Sequence, residues 1–381
     1  MEYPKKHIVI VAGEASGDLH ASHLVRAIQQ LNPNITFSGL GGPQMASAGV
    51  KLYHDLTKIA VIGFGEVIRH YPTFRRAFYD VLDQIRLTHA DTVILVDYPG
   101  FNLRLAQKIS RQKTKIIYYI SPQLWAWKEK RVNIIKHCVD KMIVLFAFER
   151  EFYKRFGIDA AFVGHPLLDE IETHTTKQAF LKKIGLDDYK LTVGLLPGSR
   201  VKEIEHILPA MLSACQILKK EFPMLQFMLV KAPSIQRELI DEYLKNASAP
   251  ITITNENSSE SIHACDVCMV ASGTATLETA ILGKPMVVIY KTSLLTWMLA
   301  KMFIKIPYIG LVNVVAGKKI VPECIQFDAT GEKIAEEIKT IFTNETRIGA
   351  IKMELERVKI ALGEPGSLDR AAREVLSTLN S

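Results

Sequence analysis

The chain has 381 residues, 48% hydrophobic and 23% charged, with a net charge of +7. That length exceeds one ordinary core and suits two domains, and a composition without a low-complexity tract excludes a fibrous or disordered chain. Five cysteines, an odd number scattered through apolar segments, argue against a secreted disulfide framework and for a reducing cytoplasm.

The first apolar run, 7–12, is too brief for a signal peptide and ends in a Gly-rich loop, so it reads as the first strand. Further strands are expected at 36–40, 92–96, 115–120, 141–145 and 160–163, with helices between them. The clearest helix carries Phe74, Phe78, Val81, Leu82 and Ile85 on one stripe. The chain turns polar around 170–186 and its rhythm restarts at Leu191, which sets a domain boundary at 172/173. Strands follow at 191–196, 226–230, 251–254, 267–270 and 286–289, and only helices after Gly331. One has Ile348, Ile351, Leu355, Val358 and Leu362 on a face, and another starts at Ser367 as an N-cap.

Strands alternating with helices mark an α/β protein with two Rossmann-like, doubly wound parallel-sheet domains, 1–172 and 173–345. Helices over 346–381 would close the structure by packing on the first domain or on a partner chain, and their apolar seams leave a homodimer open. Periodicity alone does not separate a two-domain glycosyltransferase of the B type from a periplasmic-binding layout or an epimerase of the same fold. The longest apolar stretch, 294–304, is interrupted by Lys301 and is too short to span a membrane.

Two strand-loop-helix junctions, 191–205 and 267–278, end apolar runs in Gly with Ser or Thr just before a helix. Such turns aim unpaired N–H groups and a positive helix end at one point, which suits phosphate. Gly198, Ser199 and Arg200 in the first, and Ser272, Gly273, Thr274, Ala275 and Glu278 in the second, point to a sugar nucleotide. A guanidinium binds two phosphate oxygens in a fork; the alternative for Arg200 is an ion pair with Glu203 or Glu205. No Ser or Thr stands three residues before Glu278, so a capping box does not explain it.

Asp97 stands where the apolar run TVILV ends, and strand carboxyl ends face the crevice in open α/β sheets. It is the candidate base; the alternative is a cap for the helix near Asn102. Glu14 and Ser16 lie in GEASGD, whose Gly13 and Gly17 match neither the dinucleotide fingerprint nor the phosphate loop, so no ATP, NAD or other cofactor is called for. Asp18 reads as a helix N-terminal acid. Cys265 and Cys268 form a C-x-x-C inside an apolar strand and read as core residues, and no metal set is apparent.

Two basic stretches carry no acid: Arg104, Lys108, Arg111, Lys113 and Lys115 within 98–127, and Lys291, Lys301, Lys305, Lys318 and Lys319 within 291–319. The second is interleaved with Trp297, Met298, Leu299, Met302, Phe303 and Ile304. Cations mixed with bulky apolar residues fit an anionic membrane surface better than nucleic acid; a solvated basic face is the plainer alternative.

The chain closely resembles the lipid-A-disaccharide synthase family, nearly end to end. The strings are VAGEASGDLH at 11–20, GGPQM at 41–45, IGFGEV at 62–67, VDYPGFN at 96–102 and SPQLWAWKEKR at 121–131. They continue with FEREFY at 148–153, VGHPLLD at 163–169, LLPGSR at 195–200, ASGTATLE at 271–278 and NVVAGKKIVPE at 313–323. The resemblance implies an inverting transfer from UDP-2,3-diacylglucosamine to 2,3-diacylglucosamine 1-phosphate, giving a β-1,6 disaccharide 1-phosphate and UDP. It supports Asp97 as base, Glu14 orienting hydroxyls, Ser16 donating to the donor's phosphate, Arg200 steadying UDP and Glu278 taking the ribose hydroxyls. Tyr290 is a further nucleotide candidate and Asn313 a candidate sugar contact. Trp125 and Trp127 would line the acceptor end. Phe64, Phe74, Phe78, Trp297, Met298 and Phe303 would meet acyl chains, with Arg75 and Arg76 near the headgroups. It also implies peripheral attachment to the cytoplasmic face of the inner membrane. A UDP-sugar 2-epimerase and a non-catalytic anionic-lipid binder are the competing readings.

Overall fold

Strands as apolar as Ile8–Val9–Ile10–Val11 present greasy side chains to both faces, so each needs cover above and below. The computed structural model describes residues 6–57, 71–110, 114–303 and 306–380. The chain divides into two compact units, residues 1–166 with 363–381, and residues 167–362.

In the first unit, β1 (Lys6–Ala12), β2 (Ile35–Gly41), β3 (Lys51–Asp55), β4 (Thr92–Val96), β5 (Lys115–Tyr119), β6 (Lys141–Val144) and β7 (Ala160–Phe162) form one parallel sheet. Its order is β3-β2-β1-β4-β5-β6-β7, so the sequence of strands reverses between β1 and β4. The helices are α1 (Ala15–Leu31), α2 (Pro43–Ser47), α3 (Tyr71–Leu87), α4 (Pro99–Ile109), α5 (Val132–Cys138) and α6 (Ala147–Lys154). Val9, Val11, Val93 and Leu95 face one core with Ala77, Val81 and Ile85 of α3. Ile8, Ile10, Ile94 and Val96 face the other with Ala21, Leu24, Val25 and Ile28 of α1.

The second unit repeats the plan with β8 (Thr192–Leu196), β9 (Gln226–Val230), β10 (Ile251–Thr254), β11 (Val267–Ala271), β12 (Met286–Tyr290) and β13 (Glu323–Ile325). All pairs are parallel, in the order β10-β9-β8-β11-β12-β13, and the reversal falls between β8 and β11. Its helices are α7 (Leu167–Glu170), α8 (Lys177–Lys183), α9 (Val201–Glu221), α10 (Arg237–Leu244), α11 (Ser258–His263) and α12 (Ala275–Ile281). They continue with α13 (Leu294–Phe303), α14 (Leu311–Ala316), α15 (Gly331–Phe342) and α16 (Glu345–Ala361).

The last helix, α17 (Ser367–Asn380), returns to the first unit, where Ala371, Ala372, Val375 and Leu379 complete the α1-side core. Lys115 Nζ donates to Thr378 O at 3.0 Å, and Lys141 pairs with Glu374 at 2.6 Å. The two C-terminal helices therefore part company, because α16 packs on α12, α14 and α15 while α17 packs on α1, β5 and β6. Ser367 is the first residue of its helix and is buried. Cys265 and Cys268 are free and buried, at the entry to and within β11.

Asp18, in the first turn of α1, also caps a second helix. Its Oδ1 accepts from Gly42 N at 2.8 Å and Met45 N at 3.0 Å, and its Oδ2 from Gln44 N at 2.9 Å. A buried carboxylate thus supplies the acceptors that the orphan N–H groups of α2 require, tying GEASGD to GGPQM. Asp18→Ala leaves three N–H groups without that acceptor; a loss of about 3 kcal/mol is expected, read as a lower urea midpoint.

Candidate active site

In open parallel sheets the loops leaving the two strands at an order reversal diverge to opposite faces, and the gap between them is where ligands bind. In the first unit those loops carry Gly13–Glu14–Ala15–Ser16 after β1 and Asp97–Tyr98 after β4. Glu14 is the N-cap of α1, and its side chain and that of Ser16 are exposed. Gly13 is required here: a Cβ on it would lie 2.2 Å from Cδ1 of Tyr98, whose ring covers the turn.

Asp97 and Tyr98 both adopt left-handed backbone, with φ of 42° and 49°. Neither is glycine, so the turn stores strain of the kind held at functional sites. α4 takes Tyr98 as its N-cap and starts at Pro99, so the capping alternative for Asp97 does not describe this turn. The Asp97 carboxyl is half-buried. Burial first, and the Glu14 carboxylate second, push it from 3.8 up to about 6. Tyr98 is also raised, by burial and by Glu14.

Beside this turn the SPQLWAW loop rests on a buried acid that the sequence reading passed over. Glu149, third residue of α6, accepts from Trp125 Nε1 at 3.1 Å, and Ser121 Oγ lies 3.0 Å from Tyr153 Oη. Burial raises the Glu149 carboxyl to about 8, against hydrogen bonds from Trp125, Phe146 and Ser121 that lower it. A glutamate three residues into a helix after an apolar strand was the available signal. Trp125 is half-buried, edge-on to Phe148 at 5.0 Å, whereas Trp127 is exposed with Lys128 Nζ 4.2 Å from its ring centre. Phe74 and Phe78 lie partly buried against the first core. Phe64, and the side chain of Phe303, lie outside the described residues.

In the second unit the reversal brings together the loops after β8 and β11. The first is already occupied by an anion. Glu203 Oε2 accepts from Ser199 N at 3.0 Å and Arg200 N at 3.3 Å, and Oε1 pairs with Arg200 Nη1 at 3.2 Å. Gly198 has φ of +114°, and a Cβ there would lie 2.4 Å from Glu203 Oε2. The ion-pair alternative for Arg200 is therefore realised here, and the N–H groups expected to meet phosphate hold a carboxylate. Arg200 is 75% exposed, and an ion pair of this kind contributes by itself about 0–1 kcal/mol.

After β11, Ser272 donates to Ile309 O at 2.9 Å, while the N–H groups of Gly273, Thr274 and Ala275 have no intramolecular acceptor among the described residues. Glu278 is half-buried, and its Oε1 accepts from Ser258 and Ser259 of α11. Burial raises its carboxyl. Tyr290 ends β12, raised by burial and by Glu203. Asn313 differs from the sequence expectation. It is fully buried, its Nδ2 donates to Val321 O and Glu323 Oε1, both at 2.9 Å, and its Oδ1 accepts from Ile320 N and Val321 N. An amide with all four bonds made inside the protein braces NVVAGKKIVPE and has none left for a sugar. On α13, Leu294 and Met298 are exposed and Trp297 is half-buried.

Comparison with known proteins decides between the fold's several chemistries. The model of the lipid-A-disaccharide synthetase family matches residues 8–375. The chain belongs to this family. It is 41% identical over 372 residues to the lipid-A-disaccharide synthase of Trichlorobacter lovleyi, covering 98% of this chain and 97% of that one. Among solved structures it resembles the calicheamicin glycosyltransferase CalG4 (TM-score 0.62, 14% identity, 99% of each chain covered). It also resembles a UDP-GlcNAc 2-epimerase from Neisseria meningitidis (TM-score 0.61, 12% identity, 98% of this chain and 99% of that one). At such identities these two establish the fold alone. Family membership makes the chain a glycosyltransferase of lipid A biosynthesis, and neither the epimerase nor the lipid-binder reading is favoured. Among the described residues no helix is long and apolar enough to cross a membrane.

Between pH 4.5 and 8 the unfolded chain ionises Glu149 while the folded chain keeps its proton, so this residue lowers stability as pH rises through that window. Glu149→Gln keeps an acceptor for Trp125 without the titration. Its urea midpoint should fall less than wild type's between pH 5 and 8, and parallel curves would refute the assignment.

Proposed function

We propose that this glycosyltransferase joins a UDP-linked 2,3-diacylglucosamine to the 6-hydroxyl of 2,3-diacylglucosamine 1-phosphate. The observation that carries the reading is Asp97: a strained, half-buried carboxyl at the strand-order reversal, raised to about 6. A carboxylate of that basicity is ionised at neutral pH yet basic enough to accept a proton as attack proceeds.

In the step proposed, Asp97 takes the hydroxyl proton and the acceptor oxygen bonds to the anomeric carbon from the face opposite UDP. The bond from that carbon to the phosphate oxygen breaks, and its electron pair leaves with UDP, inverting the centre. Arg200 and the open N–H groups of Gly273, Thr274 and Ala275 meet the charge on the diphosphate, after Glu203 yields its place. Glu278 takes the ribose hydroxyls, a role supported by its present acceptance of two serine hydroxyls. Ser16 and Tyr290 add polar contacts to the donor, and Glu14 orients a hydroxyl beside Asp97. Trp127 and Trp125 flank the acceptor.

Acyl chains contribute about 0.8 kcal/mol per buried methylene, so an apolar surface sets affinity for these substrates. Met298, 64% exposed beside Trp297 and Lys301, supports attachment to an anionic membrane surface, and the chain is proposed to work at the cytoplasmic face. A homodimer, with acceptor binding and catalysis assigned to the first domain and UDP-sugar binding to the second, stands as part of the same proposal.

With both substrates and a chelator present, wild type should form disaccharide. Asp97→Ala should lose at least about 100-fold in kcat while binding UDP normally, and Arg200→Ala should weaken both turnover and UDP binding. The acid limb of kcat/KM should rise through about pH 6 as Asp97 ionises; near-normal turnover by Asp97→Ala would remove it as base. Met298→Glu with Lys301→Glu should reduce sedimentation with anionic vesicles at low salt and spare binding of free UDP; unchanged sedimentation would refute the membrane surface.

A further inference from the structure

We propose that Asn102 and Tyr118 are positioning residues for glycosyl transfer, clamping the left-handed turn that presents Asp97. The inference rests on the reading of Asp97 as the base. Two successive non-glycine residues with φ of 42° and 49° persist only where their surroundings over-determine them. Here two side chains converge on one atom. The backbone carbonyl oxygen of Asp97 accepts from Tyr118 Oη at 2.6 Å and from Asn102 Nδ2 at 2.8 Å. Asn102 Nδ2 also reaches Val96 O at 3.1 Å, so it ties the strand's last carbonyl to that of the turn.

Both side chains are fully buried and come from different elements, Tyr118 from β5 and Asn102 from α4. The turn is braced from the neighbouring strand and from the helix it leads into. A second observation separates bracing from ordinary self-satisfaction. Among the described residues Asn102 Oδ1 is buried with no hydrogen-bond partner, so the amide turns its donor group and not its acceptor to this turn. With its carbonyl held on the buried side, the Asp97 carboxyl, raised first by burial, lies beside the Glu14 carboxylate, which raises it further, and the Tyr98 backbone N–H, which lowers it; burial and then Asp97 in turn raise the Tyr118 hydroxyl.

Tyr118→Phe keeps the ring and removes one clamp; Asn102→Ala removes the other. Each should lower kcat about 10- to 100-fold, the penalty for a misplaced reacting group. KM for both substrates should stay within about twofold, because only the presentation of the base has changed. UDP affinity of Tyr118→Phe should stay at the wild-type value and its urea midpoint should fall only by the one buried hydrogen bond removed, while the acid limb of its pH profile should move from about 6 as the carboxyl's surroundings relax. Wild-type kcat in both variants, with Asp97→Ala inactive, overturns the inference and leaves the base assignment standing. A loss in Tyr118→Phe that tracks falling stability and UDP binding overturns it equally, since that is a packing defect. An active Asp97→Ala removes the base reading itself, and this inference with it.

Discussion

Each sheet reverses its strand order once, between β1 and β4 and between β8 and β11, and the residues proposed for the chemistry cluster in the loops leaving those four strands. The constraint is geometric. Right-handed crossovers carry successive helices to one face on one side of the starting strand and to the other face beyond it. The two loops at the reversal therefore diverge, and their backbone cannot close over the strand ends. Glu14 and Asp97 come together because Gly13 admits the Tyr98 ring between their loops. Cover on both sheet faces comes first, since without α17 the α1-side core would lack Val375 and its neighbours.

The polar groups of the second unit are engaged with surrogates. Glu203 sits on the Ser199 and Arg200 amides, and two serines sit on Glu278. Each arrangement resembles in chemistry the ligand proposed there, an anion on N–H groups and paired hydroxyls on a carboxylate. Such internal partners keep buried or strained donors satisfied at little cost, and exposed pairs of this kind are weak enough to yield to a dianion with more contacts. Among the described residues the N–H groups at 273–275 have no intramolecular acceptor, unlike those of the Glu203 loop.

Two carboxyls in the first unit show how surroundings divide labour. Asp97 keeps solvent contact and a charged neighbour, and rises to about 6; Glu149 is sealed in and rises to about 8. The first is ionised at neutral pH and suits proton abstraction. The second remains protonated there and suits holding an indole in place. Burial distinguishes them more than residue type does.

Alternating apolar runs located eleven of the strands, because a strand buried on both faces leaves an unbroken greasy signature. β3 and β13 escaped: the first is KLYHD and the second ECI, and neither carries an apolar run of strand length. The sequence also determined which acids and cations stand beside strand ends, and so brought Asp97, Arg200 and Glu278 into view. Only tertiary structure decided which of these groups are free. Asn313 looks like a sugar contact in a string, yet its four bonds close on residues 320–323. Asp18 caps a helix 24 residues onward, and Glu149 supports a loop 24 residues back. Hydrogen-bond saturation and desolvation are properties of neighbours brought together by folding, and no spacing along the chain encodes them.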